Sequence, residues 1–281
     1  MTQIQPYTYH CHTDFSDGKN TAEEMISRAQ SLGFSEIGIS DHLIVHKDIE
    51  QSISQQFWHA AGYKYVYHRD FGMILSDYER HCESIRQLSA KFNIKVYIGF
   101  EVDYFTYSGW EEELRDFLHR LDYDYIISGN HLFFDEKCSN LIDISHSRNI
   151  ISDRGLFTEY IVRHFQTMGQ SVKSGLFRFL AHADYVRKVG NNICGPEMYK
   201  DEKTALLDAL RQSGTAMEIS TKGLRKIGDF YPCGWMMDEA SRRDIAFVIS
   251  DDAHRVEELA ADFVSAEQEV MRHGLHKRLH F

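Results

Sequence analysis

Prolines are scarce, three in 281 residues, and the chain has no low-complexity segment, no linker-like stretch and no internal repeat of fixed period. A chain of this length without such interruptions reads as one large domain. No apolar run approaches the ~20 residues that a bilayer-spanning helix needs, so no membrane partner is expected. The first ten residues lack the basic and apolar regions of a signal peptide. The five cysteines (Cys11, Cys82, Cys138, Cys194, Cys233) are odd in number and form no Cys-x-x-Cys pair, which excludes a zinc ribbon. A cytoplasmic protein with reduced thiols is expected. A basic surplus is missing too: 31 basic residues face 42 acidic ones, for a net charge of −11. That argues against a nucleic-acid partner, which a broad basic face would bind. It leaves room for a small anionic substrate, because metals and a few arginines reverse the sign locally.

What the chain does have is histidine, 16 in all, several of them at the ends of apolar runs. Residues 7–11 read as a strand ending in His10-Cys11-His12. Thr21 and Glu24 have the spacing of a capping box, Met25, Ile26, Ala29 and Leu32 follow at helical spacing, and Gly33 closes that helix. Residues 36–40 form a second strand ending in Asp41-His42. The aromatic-rich stretch 43–74 is long and irregular; it reads as a lid or insertion, a homodimer contact, or both. Further strands are expected over 95–100, 125–128, 179–181, 216–219 and 246–250. Helices are expected over 75–92, 110–121, 154–173, 197–213, 233–243 and 256–272, with 132–152 irregular. Seven βα units imply a parallel sheet, and the length is within the range of one α/β barrel. In such barrels catalytic residues collect at the C-terminal ends of the strands. Those ends carry His10, His12, His42, Glu101, His131, His182, Asp251 and His254.

Taken singly, each has a plain structural explanation, such as a buried, hydrogen-bonded imidazole. Alternate strand residues share a face, so His10 and His12 can point to one ion. Glu101 follows Val96-Tyr97-Ile98-Gly99-Phe100 and would carry an unpaired charge into the barrel mouth. That is costly, and a metal offsets the cost; a glutamate can also bridge two ions. Taken jointly, the plain explanation needs separate reasons for eight polar residues at six equivalent positions. A metal cluster supplies one reason, and mixed nitrogen and oxygen ligands suit zinc, iron or manganese.

The run Tyr9-His10-Cys11-His12-Thr13-Asp14-Phe15-Ser16-Asp17-Gly18 resembles the opening motif of the polymerase and histidinol phosphatase (PHP) superfamily. Ser40-Asp41-His42, Gly99-Phe100-Glu101-Val102-Asp103-Tyr104, His182-Ala183-Asp184 and Ser250-Asp251-Asp252-Ala253-His254 follow in that family's order, so the likeness spans roughly residues 7–260. Glu218-Ile219-Ser220-Thr221-Lys222-Gly223-Leu224-Arg225-Lys226 and the following Tyr231-Pro232 resemble the histidinol-phosphatase branch. Ser128-Gly129-Asn130-His131 and Ser220 depart from the usual residues of that branch, and Asp252 lengthens the last motif by one residue.

The resemblance implies an α/β fold, a distorted (β/α)7 TIM-like barrel of PHP type, spanning 1–281 as a single domain. It implies three divalent metal ions (zinc, iron or manganese). One would be held by His10, His12, Glu101 and Asp251; a second by the bridging Glu101 with His131 and His182; a third by Asp17, His42 and His254. Asp251 is taken over its neighbour Asp252 because it directly follows the strand and Ser250. The resemblance gives Arg187 and Arg225 the phosphoryl group, a task that suits the guanidinium fork, with Lys222 and Arg255 as lesser candidates. Glu101, Asp17, His42 and His254 are the expected catalytic groups, the last three positioning the leaving group. The implied activity is hydrolysis of L-histidinol phosphate to L-histidinol and phosphate, in histidine biosynthesis, by in-line attack of an activated water. The alternative is another small phosphomonoester or a nucleotide. An amidohydrolase also begins with His-x-His, but the seven units, the Ser-Asp-His motif and the terminal Asp-x-His pattern argue against one. A non-catalytic metal-binding descendant would have lost ligands, and none is lost.

Overall fold

The computed structural model describes residues 5–49, 66–143, 153–190 and 193–281. In chain order its strands are β1 (Tyr7–Thr8), β2 (Glu36–Val45), β3 (Tyr67–His68), β4 (Lys95–Val102), β5 (Tyr125–Ser128), β6 (Leu132–Asp135), β7 (Asn140–Asp143), β8 (Phe179–Leu180), β9 (Ala216–Ser220) and β10 (Phe247–Ser250). Seven of them pair in parallel in the order β1-β2-β4-β5-β8-β9-β10, and β3 adds to the far end of β2. The ring is drawn together by a parallel bridge between Cys11 and Ala253, where His12 N donates to Ala253 O at 2.8 Å. The result is a nearly closed α/β barrel, the architecture expected from the alternating pattern.

All ten residues of β2 are buried, as befits a parallel strand covered on both faces. The floor of the barrel is aromatic. Tyr7, Tyr9, Tyr97, Tyr125 and Phe179 cluster there, and the ring of Phe281 stacks on Tyr9 at 4.1 Å. Tyr125 can reach inward because Gly38 and Gly99 face it; a Cβ on either would collide with its side chain. Its hydroxyl donates to Tyr9 O at 2.7 Å.

The helices begin and end where local chemistry dictates. Thr21 and Glu24 form the capping box of helix Ala22–Ser31. Helix Phe71–Ser89 starts earlier than the sequence suggests, because the Asp70 carboxylate caps the backbone N–H groups of Gly72 and Met73. The last helix starts later, at Phe263: Val256–Glu258 forms a 3-10 turn, and Ala260 and Asp262 both take φ of 62°, which breaks the helix. Part of the stretch expected to be irregular, 132–152, is instead the antiparallel hairpin β6–β7, with Leu132 opposite Asp143. Half of 43–74, residues 50–65, lies outside the described residues, so its reading as a lid or dimer contact is untouched; its described ends belong to β2, β3 and the helix Phe71–Ser89. No described helix is long and apolar enough to cross a membrane.

His164 lies fully inside the protein on helix Arg154–Lys173, and neither ring nitrogen has a hydrogen-bond partner. Burial holds it down to about 3. In the unfolded chain it protonates near the ordinary value of about 6.5. The unfolded state therefore binds more protons below that value, and stability falls as pH drops from about 6.5 towards 3. Between pH 7 and 5 this one group is expected to remove roughly 2 kcal/mol. Urea unfolding of wild type and His164→Leu at both pH values checks this; the variant should lose that share of the slope, and parallel slopes would refute it.

Candidate metal centre

The C-terminal strand ends converge on one carboxylate. Glu101 sits on β4 in register with His42 on β2. Its Oε2 lies 3.3 Å from His10 Nε2, 3.3 Å from His12 Nε2 and 3.2 Å from His42 Nδ1. Its Oε1 lies 2.9 Å from His182 Nε2 and 3.7 Å from His131 Nε2. Gly129 lets the chain pass beside it, since a Cβ there would come within 2.7 Å of that oxygen. On the other side Asp17 Oδ2 lies 3.1 Å from His254 Nε2 and 3.6 Å from His42 Nε2.

Burial and charge oppose each other strongly here. Burial pushes the carboxyl pKa of Glu101 and Asp17 up, yet the surrounding imidazoles hold both well below the usual carboxylate range. Burial likewise depresses His12 and His131, but their carboxylate neighbours hold each at about 9. His10 Nε2, both nitrogens of His12, His42 Nδ1, Glu101 Oε2, His182 Nδ1 and Asp252 Oδ1 are all buried without a hydrogen-bond partner. Each orphan would ordinarily cost about 1–3 kcal/mol, so such a concentration demands an explanation. Cation ligation provides one. Four overlapping sets have the geometry to hold an ion: His12, Asp17, His42 and His254; His10, His182 and Asp252; His10, His12 and Glu101; His42, Glu101 and His131. Because they share members, they form one continuous cluster, and its nitrogen and oxygen donors fit divalent metals.

Three carboxylates outside the expected site orient this cluster. Glu218 Oε1 lies 2.6 Å from His10 Nδ1 and also accepts from the Ser250 hydroxyl, and its Oε2 accepts from His182 N at 2.6 Å. Asp103 Oδ1 lies 3.0 Å from His131 Nδ1, and Oδ2 accepts from Leu132 N at 2.8 Å. Asp41 accepts from Thr13 N at 2.7 Å and from the Ser16 hydroxyl at 2.6 Å, which fixes the turn carrying Asp17. The sequence held a signal for Glu218: a charge inside the apolar run Ala216-Met217-Glu218-Ile219. Carboxylates that orient metal-binding histidines typically contribute 10–100-fold to affinity. Glu218→Gln is expected to weaken metal retention by roughly that factor, measured by chelator competition.

Two expected residues lie away from the cluster and the cavity above it. Asp251 turns away from the cluster: its Oδ2 accepts from Ala260 N at 2.7 Å and its Oδ1 from Thr8 Oγ1 at 3.3 Å. Burial pushes its carboxyl up to about 7. Its neighbour Asp252 faces the cluster, with Oδ1 3.3 Å from His12 Nε2, 3.6 Å from His10 Nε2 and 3.5 Å from His254 Nδ1. The backbone explains the exchange. Asp252 has φ of 46°, so the chain kinks after β10 and in–out alternation stops at Ser250. Asn130 at 53° and His182 at 26° kink the same way after β5 and β8. Arg187 also turns away. It is buried in the 3-10 turn Tyr185–Val189, with Nη1 3.3 Å from Asp184 Oδ2 and 3.0 Å from Phe230 O, and Nη2 on Asp229. In a turn of period three, residues i and i+3 share a face. Here Tyr185 and Lys188 face the cavity above the cluster, and Arg187 faces back.

That cavity has a volume of about 420 Å³ and receives Asp17, His42, His131 and His254 from the cluster. Arg225 reaches it, anchored by a 2.6 Å bond to Asp251 O. Lys222 reaches it with Nζ 2.8 Å from Asp252 Oδ2, and Arg255 lines its rim.

A barrel with a histidine–carboxylate cluster at its C-terminal mouth defines a class, and the comparison with known proteins agrees. The PHP domain family matches residues 8–222, and the chain belongs to that family. Its relatives include a protein of Deinococcus radiodurans named "Probable histidinol-phosphatase", 25% identical over 269 residues that cover 93% of this chain and 91% of that one. They also include the histidinol-phosphatase of Bacillus subtilis, 25% identical over 263 residues covering 88% and 92%. Among solved structures, histidinol phosphate phosphatase of Lactococcus lactis, complexed with zinc, L-histidinol and phosphate, shares the fold with a TM-score of 0.69. It is 18% identical, over 99% of this chain and 97% of that one.

Proposed function

We propose that this chain is a metal-dependent phosphomonoesterase acting on L-histidinol phosphate, releasing L-histidinol and phosphate. The observation that carries the reading is the orphaned histidine–carboxylate cluster lying directly beneath a cavity lined by Lys222, Arg225, Lys226 and Arg255. Cations of that kind suit a phosphoryl group. The choice of L-histidinol phosphate follows the relatives' names, and it assigns the chain to histidine biosynthesis in the cytoplasm.

The proposed cofactors are three divalent ions, zinc, iron or manganese. Their ligands would be His10, His12, Glu101 and Asp252 for the first, Glu101, His131 and His182 for the second, and Asp17, His42 and His254 for the third. Such ions supply Lewis-acid charge that activates water near neutral pH and stabilises phosphoryl oxygens. The chain's own groups do the rest. Glu101 ties the cluster together, and Arg225 and Lys222 hold the phosphoryl oxygens. Asp17, His42 and His254 border the cavity, where they orient the departing alkoxide. The test is kcat/KM for L-histidinol phosphate against a panel of monoesters and nucleotides. L-Histidinol phosphate should lead the panel. Efficient turnover of another ester with none of L-histidinol phosphate would replace the substrate and keep the class.

A further inference from the structure

The cavity above the cluster is two-sided, and the strand order shows it. The arc β9-β10-β1 contributes Lys222, Arg225, Lys226, Arg255 and Lys19. The arc β2-β4-β5, with β3 paired to β2 and the separate hairpin β6–β7 following β5, contributes Ile44, Val66, Tyr67 and Asp143. Between them, after β8, Tyr185 places its ring 5.4 Å from that of His131 and 4.9 Å from that of His182.

Three carboxylates line this cavity, Asp17, Asp143 and Glu258. Asp17 faces His254 and His42. Glu258 accepts from His254 N at 2.8 Å and pairs with Arg255 at 3.7 Å. Asp143 is the acid on the aromatic side. It ends β7 opposite Leu132, the residue that follows His131, and only 7% of its surface is exposed. Tyr67 stands opposite Ile44, two residues beyond His42. Lys188 is a cation near this side, and its ammonium is held by the Tyr185 hydroxyl at 3.0 Å while it faces that ring.

From this division we infer that Asp143, with the rings of Tyr67 and Tyr185, forms a subsite for a positively charged leaving group. The inference rests on the phosphomonoesterase reading and deepens it. A phosphoryl group held by Arg225 and Lys222 over the cluster projects its ester oxygen and alcohol away from the cations. The alcohol then meets aromatic faces and a carboxylate, the two features that recognise an ammonium or imidazolium. The substrate class is thus the phosphomonoester of a cationic amino alcohol. Asp143 is a specificity-determining residue that takes no part in the chemical step.

The experiment compares wild type with Asp143→Asn and Asp143→Ser on L-histidinol phosphate and on p-nitrophenyl phosphate, whose leaving group carries no positive charge. Losing a charge-assisted contact is expected to lower kcat/KM for L-histidinol phosphate by roughly 10–100-fold, mostly through KM. Turnover of p-nitrophenyl phosphate should stay within about twofold, which also shows that the variants fold and keep their metals. Calorimetry adds a measurement independent of turnover: L-histidinol should bind the variants at least about tenfold more weakly, and inorganic phosphate should bind equally. Equal losses on both esters, as expected if Asp143 only balances Lys188, or unchanged L-histidinol binding, would overturn the subsite and leave the phosphatase reading standing. A wild type that hydrolyses neither ester yet binds L-histidinol through Asp143 would overturn the phosphatase reading and leave the subsite standing.

Discussion

Glu101→Gln is expected to leave a folded protein that has lost most of its bound metal and nearly all turnover. Five imidazoles face the two oxygens of Glu101, three at Oε2 and two at Oε1. Glutamine offers one neutral oxygen and an amide that donates, so it can neither bridge two cations nor balance the histidines around it. Removing an outer partner of a metal ligand costs roughly 10–100-fold. The loss of the ligand common to two proposed ions should exceed that, at about 1,000-fold or more in turnover. Elemental analysis and phosphate release on the same preparation check the two halves together. A variant with unchanged metal count and unchanged rate would remove the scheme.

The second large effect separates two neighbours. Asp252→Asn is expected to cut turnover by about 100-fold or more, because an amide carries no charge and offers one oxygen where the carboxylate offers two, one facing His10, His12 and His254 and the other Lys222. Asp251→Asn should retain metal and most activity. Its carboxyl is already pushed up to about 7 by burial, and an amide can present its oxygen to Ala260 N while its NH2 donates to the Thr8 hydroxyl in place of the bond that the carboxylate accepts there. The expected cost is stability, roughly 1–2 kcal/mol, read from denaturant unfolding. The opposite ranking of the two variants would restore Asp251 as the ligand.

That pair marks where the sequence stops being legible. The barrel could be read because each strand is an apolar run closed by a polar residue, and β2 and β4 keep their side-chain alternation up to His42 and Glu101. His10, His12, His131, His182 and His254 could be read for the same reason. Asp252 could not, because the chain leaves β10 through a left-handed residue, and alternation predicts nothing beyond such a kink. The placement of Arg187 was hidden similarly: a 3-10 turn follows β8, and its period of three turns Tyr185 and Lys188 to the cavity. The hairpin β6–β7 was missed because its strands are four residues each and lie outside the barrel sheet. Glu218 was legible as an oddity, a charge in an apolar strand, but its partners, His10 and the backbone of His182, lie 208 and 36 residues away.

The most direct test of the account is phosphate release from L-histidinol phosphate by protein stripped of metal with a chelator and then titrated with zinc, manganese or ferrous ion. The stripped protein should be inactive, and activity should return with added ion and saturate near three equivalents per chain. Full activity in the stripped protein, or no release of phosphate at any metal content, would contradict it.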